Sequence, residues 1–243
     1  LYQAWRVSLM LSTVDLYKQL SELTLDRFGF DGGEVEQGTM QWHRMRAGCI
    51  TASRVHDIIK KGRAKGSYSA SRQTYMNELI AQVCTGLLPD EITAKQMAWG
   101  HDNEPKALAL YDPFDEKEVN QIAFIYGLNM RCGVSPDALV GGNGGLEIKC
   151  PWTTSQYIDQ LLGGEPKPEY LTQMQYSMWV TGREYWDFAN YDPRMKKNNI
   201  RIVRHEPNLE LFKVFDEEIP KFIKDMDDKL DSIGFEFSDI YTK

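Results

Sequence analysis

The hydrophobic period of this chain changes near residue 119, and that change limits the fold more than any other feature. Upstream, residues 14–23, 52–60 and 74–84 carry apolar side chains at helical spacing, and Gly86 and Pro89 stop the last of them. Residues 98–111 read as a further helix ending at Pro113. Downstream, 119–126 is rich in β-formers, 131–140 is short and flanked by turns, and Gly141-Gly142-Asn143-Gly144-Gly145 is a turn signal. Leu146-Glu147-Ile148-Lys149-Cys150 then alternates until Pro151 stops it. Two such runs around a glycine-rich turn predict a β-hairpin. Helices are expected again over 153–162 and 169–180, and strands over 185–191 and 199–205. A closing helix is expected over 209–233, with Pro220 a kink or a second start. The order predicts an α/β single domain, a central mixed β-sheet flanked by helices.

The 243 residues suit one domain, taken as 10–243. Residues 1–9 precede Met10 and contain neither a long apolar core nor a cleavage site, so they read as a leader or upstream extension. No run approaches the roughly 18 apolar residues of a membrane span, so no membrane partner and a cytoplasmic location are expected. Lys and Arg number 28 against 35 Asp and Glu, a formal charge of −7. That excludes a protein basic over its whole surface, but not a local basic stripe on nucleic acid. One candidate is the glycine-punctuated loop at 60–68, with Lys60, Lys61, Arg63 and Lys65. Cys49, Cys84, Cys132 and Cys150 form no Cys-x-x-Cys, and the four histidines form no i, i+4 pair. Zinc and iron–sulfur sites are therefore disfavoured, and reduced thiols expected. No phosphate-binding loop or nucleophile elbow is present.

The segment that carries chemistry is Ser135-Pro136-Asp137, nine residues, then Glu147-Ile148-Lys149. On a strand, Glu147 and Lys149 project to one face, and the hairpin can bring Asp137 beside them. Converging carboxylates suit a hard cation such as Mg²⁺. A neighbouring lysine can orient a water or offset charge on a phosphorane-like transition state, the needs of phosphodiester hydrolysis. The plainer reading makes Asp137 a turn residue and Glu147 and Lys149 an ion pair on an exposed face.

Pro136-Asp137 with Glu147-Ile148-Lys149 resembles the PD-(D/E)XK nuclease superfamily. The chain is more closely similar to its lambda-exonuclease branch, the YqaJ-type viral recombinases, over about 14–235. That resemblance is carried by Trp42-His43, Arg46, Gly48 and Ile50-Thr51-Ala52-Ser53; by Ala98-Trp99-Gly100 with Glu104; and by Ser135-Pro136-Asp137 and the run 146–151. It continues through 173–181 and 188–196. It implies a Mg²⁺-dependent exonuclease, with Mn²⁺ a substitute. Such an enzyme degrades one strand of duplex DNA from a 5′-phosphorylated end, releases mononucleotides and leaves a 3′ single strand for recombination.

By the same resemblance Asp137, Glu147 and the Ile148 carbonyl are metal ligands, Lys149 is the catalytic lysine and Glu104 a further acid near the metal. Glu104 reads otherwise as a helix N-terminal carboxylate. Gln175 would touch the metal-bound water or the phosphate, or else hold the sheet edge. Arg46, Ser53 and Ser135 match a pocket for the terminal phosphate, with Ser53 alternatively a simple N-cap. Arg63 matches a groove-contacting arginine, and Met97 an apolar strand-separating wedge or a core residue. The chain departs from the family pattern by a one-residue insertion around 87–93, and in composition over 67–71. A homotrimeric ring around DNA and a single-strand annealing partner are implied. A sequence-specific endonuclease and a non-catalytic DNA-end-binding scaffold are the rival functions.

Overall fold

A computed structural model describes residues 11–87, 95–111 and 118–241. The expected leader at 1–9 and nearly all of the 87–93 departure lie outside these residues. Helix α1 (Thr13–Phe28) starts where the Ser12 hydroxyl accepts the Asp15 N–H at 3.1 Å. It stops at Gly29, whose φ of +76° only glycine adopts without strain. Then come α2 (Met40–Arg46), strand β1 (Ile50–Thr51), a 3-10 turn (Ala52–Arg54) and α3 (Val55–Ile59). Helices α4 (Ala70–Thr85) and α5 (Lys95–Leu110) follow. The expected helix at 52–60 is thus divided, and those at 74–84 and 98–111 begin earlier. No sequence signal marks α2, because seven residues are too few for a helical period to show.

The strands are β2 (Val119–Asn120), β3 (Ile125–Gly127), β4 (Cys132–Val134), β5 (Ala138–Val140) and β6 (Gly144–Lys149). After α6 (Thr154–Leu161) and α7 (Pro168–Thr181) come β7 (Tyr185–Tyr191) and β8 (Ile200–His205). The last long helix is α8 (Leu209–Ser232), which continues through Pro220 as one element. Instead of one sheet the strands form two, ordered β1-β4-β3 and β2-β5-β6-β7-β8. The expected strand at 131–140 breaks at Ser135-Pro136-Asp137, where Pro136 has no N–H to give a ladder. Its halves, β4 and β5, join different sheets.

The hairpin forms as expected, with Ala138 opposite Leu146 and Val140 opposite Gly144. Gly144 and Gly145 therefore belong to the strand, and the connection is 141–143. A Cβ on Gly144 would meet the Tyr185 ring at 2.1 Å and one on Gly145 the Trp186 ring at 2.4 Å, so these two positions of β6 pack against β7 as glycine. These two strands run parallel, and α6 and α7 provide the crossover. Leu146 and Ile148 bury one face of β6 in a cluster with Ala107 and Tyr111 of the α5 region. A larger core gathers α1, α4, α7, α8 and the small sheet around Tyr176, Trp179, Phe215 and Phe222. With one face of β6 fixed by packing, Glu147 and Lys149 must point to the other. Among the described residues no helix is long and apolar enough to cross a membrane.

Candidate active site

Asp137 lies between the Pro136 break and the first residue of β5, held from both directions. Its N–H donates to the Leu146 carbonyl at 3.2 Å, and its carboxylate accepts the Ile148 N–H. A strand residue's N–H and C=O point to the same side, so the Ile148 carbonyl faces Asp137 as well. Lys149 donates to the carboxylate of Glu147, which is only 2% exposed. Glu104, on α5, completes an acidic cluster that interacts electrostatically with Glu147 and Lys149.

The cluster is electrostatically unbalanced. Burial pushes the Asp137 carboxyl well above its usual range, and repulsion from Glu147 and Glu104 adds to it, against Lys149 and the Ile148 N–H. Burial also raises Glu104, outweighing the opposing pull of Lys149, and repulsion from Glu147 adds to the rise. Burial alone would lower Lys149, but Glu147, Asp137 and Glu104 together hold it above the usual lysine value. Three carboxyl groups thus share one ammonium. Among the described residues no three His, Cys, Asp or Glu side chains gather closely enough to cage a metal by themselves. The donors on offer are all oxygen: the carboxylates of Asp137 and Glu147 and the Ile148 carbonyl.

Lys149 lies opposite Asn190 in the β6–β7 register, so both share a face. Asn190 is 1% exposed, yet neither its Nδ2 nor its Oδ1 has a hydrogen-bond partner. Orphaned amides of this kind are rare in native interiors, and this one lines the groove beside Lys149. Tyr170 on α7 takes the Lys149 ammonium 5.1 Å from its ring centroid and stacks on Phe188 at 6.2 Å.

These residues floor a groove of about 2510 Å³, larger than the ~300–1,000 Å³ of small-molecule sites. Arg46 lines it beyond Asp137, its guanidinium 3.8 Å from the Trp42 ring centroid. Burial lowers the Arg46 pKa to about 10, with Tyr75 and Cys49 opposing, so it remains a cation at neutral pH. The Trp42 indole N–H is shared between the Ala123 carbonyl at 3.0 Å and the Ser135 hydroxyl at 2.9 Å.

Comparison with known proteins places this geometry. Residues 41–184 match the YqaJ-like viral recombinase domain. The chain belongs to the YqaJ-like viral recombinase family. LHK-Exo, an alkaline exonuclease from Laribacter hongkongensis, is 36% identical in its solved complex with dAMP. That match has a TM-score of 0.72 over 80% of this chain and 96% of the relative. A phage-related exonuclease from Haemophilus somnus 129PT, 16% identical, shares the fold at a TM-score of 0.59, covering 76% of this chain and 96% of its own. ExoD of Escherichia coli strain K12, a putative uncharacterized protein, is 49% identical over 73 residues. Those residues are 30% of this chain and 84% of ExoD.

In this member of the recombinase family Asp137, Glu147, Lys149, Ile148 and Glu104 are brought together, and Arg46 and Ser53 line the same groove. Ser53 is exposed inside the 3-10 turn, and the caps flanking that turn and α3 are Thr51 and Arg54, so it is not an N-cap. Glu104 lies more than two turns into α5, which removes the reading as an N-terminal carboxylate. Ser135 donates to the Ala123 carbonyl at 2.9 Å and supports Trp42; its hydroxyl hydrogen is committed there.

Gln175 is not at the groove. Its Nε2 donates to the Glu206 carbonyl at 2.8 Å and its Oε1 accepts the Asn208 N–H at 2.6 Å, holding the segment between β8 and α8. Helix phase gives the reason: five residues after the groove-lining Tyr170, Gln175 lies about 140° around α7 from it. Arg63 is exposed in the basic loop and is not part of the groove lining. Met97 belongs to α5, and its side chain lies outside the described residues. Tyr170, Asn190 and Trp152 line the groove without having been singled out. For Asn190 the available signal was the alternation of 185–191; no local pattern marks Tyr170.

Proposed function

We propose that this protein is a Mg²⁺-dependent double-strand DNA exonuclease that works 5′→3′, releases mononucleotides and leaves a 3′ single strand. The observation that carries this reading is the unbalanced cluster of Asp137, Glu104 and Lys149 lining a polymer-sized groove, with the buried Glu147 bonded to Lys149. The residues fit a hydrated Mg²⁺, which binds through one or two carboxylates and keeps several waters. The unpartnered amide of Asn190 supports that fit, because metal-bound waters need hydrogen-bond partners. When bound, the ion supplies Lewis acidity at the scissile phosphate and an acidified water.

The remaining roles belong to the chain. Asp137 and Glu147 hold the cation, with the Ile148 carbonyl beside them. Lys149 orients the attacking water and offsets charge developing on the phosphate. Glu104 adds negative charge at the outer edge. Arg46, with Ser53 nearby, receives the terminal 5′-phosphate through a charge-assisted fork. The alkaline exonuclease activity of LHK-Exo and its complex with dAMP agree with this reading, since dAMP is the kind of mononucleotide such hydrolysis releases. A homotrimeric ring and an annealing protein that receives the 3′ strand are proposed on family grounds.

The test is digestion of end-labelled duplex. Linear duplex with Mg²⁺ should yield mononucleotides and 3′ single strands, nothing should be released in EDTA, and closed circular duplex should survive. Discrete fragments from the circle would replace the reading with an endonuclease. Tight end binding without release under any divalent ion would replace it with a scaffold.

A further inference from the structure

Trp152 is 43% exposed and lines the groove three residues beyond Lys149. An indole left in water beside a polar site has a large apolar face without a partner. The backbone beneath it is held with unusual care. Arg194 donates to the Trp152 carbonyl at 2.9 Å and to the Pro151 carbonyl at 3.0 Å. Arg194 itself is forked onto the fully buried Asp192 at 2.7 and 2.8 Å, and its guanidinium lies 4.5 Å from the Trp99 ring centroid. Trp99 meets Trp152 edge-on, with centroids 6.0 Å apart and planes at 88°. The perpendicular contact fixes the tilt of the Trp152 indole, and its exposure leaves part of the ring open to the groove. Rigid support beneath an open aromatic face is the arrangement that stacking requires.

We propose that Trp152 is a stacking platform for the unpaired base of the terminal 5′ nucleotide, whose 3′-side scissile phosphate lies at Lys149. The proposal rests on the nuclease reading above and names the part of the substrate that this rim receives. Three residues span at most about 10 Å, so a nucleotide held at Lys149 has its base within reach of the indole. A base leaving the duplex loses its stacking neighbour, and an aromatic side chain replaces it without regard to sequence because every base has a π-face. The indole thereby favours the frayed end over the paired one, and sequence-tolerant degradation follows.

The test uses the full chain and 5′-phosphorylated duplexes whose terminal 5′ nucleotide carries 2-aminopurine, an ordinary base or no base. On 2-aminopurine ends, wild-type protein should quench fluorescence, Trp152→Phe should quench in part and Trp152→Ala should leave it bright. On ordinary ends, Trp152→Ala should raise KM about ten-fold with kcat within about two-fold, and Trp152→Phe should recover most of the loss. On abasic ends wild type and Trp152→Ala should behave alike, a convergence that loss of scaffold rigidity would not produce. Equal discrimination between ordinary and abasic ends by wild type and Trp152→Ala overturns the stacking role and leaves the indole as a surface for a protein partner. A wild-type protein inert on every duplex is a different result, and overturns the nuclease reading itself.

Discussion

Two groups of buried charge sit on adjacent strands of the same sheet, and they are built on opposite principles. On β7, Asp187 is fully buried and completely answered: Arg204 donates to it twice at 2.8 Å, and the Tyr111 hydroxyl donates at 2.7 Å. On β6 and its flanks, Asp137, Glu147 and Glu104 share the single ammonium of Lys149, beside an Asn190 amide that nothing satisfies. The first group has the completed hydrogen bonding that a buried ion needs to be tolerated at all. The second is incomplete in the free chain and becomes consistent only when positive charge and polar partners arrive. Local inconsistency of this kind marks functional sites, and strand neighbours separate the two cases without help from depth or residue type.

Substitution should therefore have opposite consequences in the two places. Asp137→Asn, Glu147→Gln and Lys149→Ala should each reduce nucleotide release by about a thousand-fold or more, the scale of removing a preorganised electrostatic group. Asp137→Asn should leave the Tm unchanged or raised, because it removes a like charge. Asp187→Asn should do the reverse. It strands Arg204 and weakens the Tyr111 bond, at a cost of about 3–5 kcal/mol, or roughly a 10 °C fall in Tm, while the folded fraction keeps most of its rate. Paired melting curves and single-turnover rates make the comparison. A stability loss at Asp137 as large as that at Asp187 would break it.

A pH series sharpens the same contrast. Asp137 and Glu104 titrate above the usual carboxylate range in the native state. Between about pH 4, where free carboxylates titrate, and those raised values, the native state holds protons that the unfolded chain has released. Their contribution to stability is fully present below the unfolded values and is lost as pH rises through the native ones. In EDTA, wild-type stability should fall relative to Asp137→Asn as pH rises from about 4 through the raised native values. Saturating Mg²⁺ should close the gap and stabilise the wild type by about 2.7 kcal/mol at a hundred times Kd, with a corresponding rise in Tm. Parallel wild-type and Asp137→Asn curves in EDTA would show that the β6 cluster is no less satisfied than Asp187.

The unbalanced cluster was the legible one. Alternation through 146–150, a glycine turn before it and a proline after it fix which face of β6 carries Glu147 and Lys149, and the hairpin sets Asp137 against Ile148. The satisfied cluster was not legible. Asp187, Arg204 and Tyr111 come from three separate elements, and no local pattern announces a partnership made only by tertiary packing. The same limit explains the rest. Pro136 divides a continuous β-run between two sheets. Whether Gln175 faces the groove or the scaffold depends on the rotation of α7, which Trp179 and Tyr176 set from inside the core. Asn190 reads as one more polar residue on a strand until its neighbours are known to leave it alone.

The groove's far end offers a smaller test. Arg46 is fixed by stacking on Trp42, and Trp42 is fixed by Ala123 and Ser135. Charge-assisted hydrogen bonds contribute roughly 1.5–3 kcal/mol, so Arg46→Ala should reduce the preference for 5′-phosphorylated over 5′-hydroxyl ends by about ten- to a hundred-fold. Arg46→Lys should recover part of it, because a point charge lacks the fork. Ser135→Ala should act only through the looser indole and cost a few-fold. Initial rates on the two kinds of end decide this, and a full preference retained by Arg46→Ala would remove Arg46 from the phosphate site.

The smallest effect belongs to Gln175, and it separates position from identity within one helix. Its amide answers two backbone groups, the Glu206 carbonyl and the Asn208 N–H, at the start of the segment that caps α8. Gln175→Leu leaves both unpaired in a nearly dry setting, at about 1–3 kcal/mol for an unsatisfied buried group. It should lower the Tm by a few degrees and leave the rate per folded molecule within about three-fold. Tyr170→Leu, on the groove face of the same helix, should show the opposite pattern, with a smaller change in Tm and a clear loss of rate. Melting curves and single-turnover rates on the same two preparations settle the matter. If Gln175→Leu lost rate out of proportion to stability, the assignment of that side chain to the scaffold would fall, and the helix phase argued from Tyr170 would fall with it.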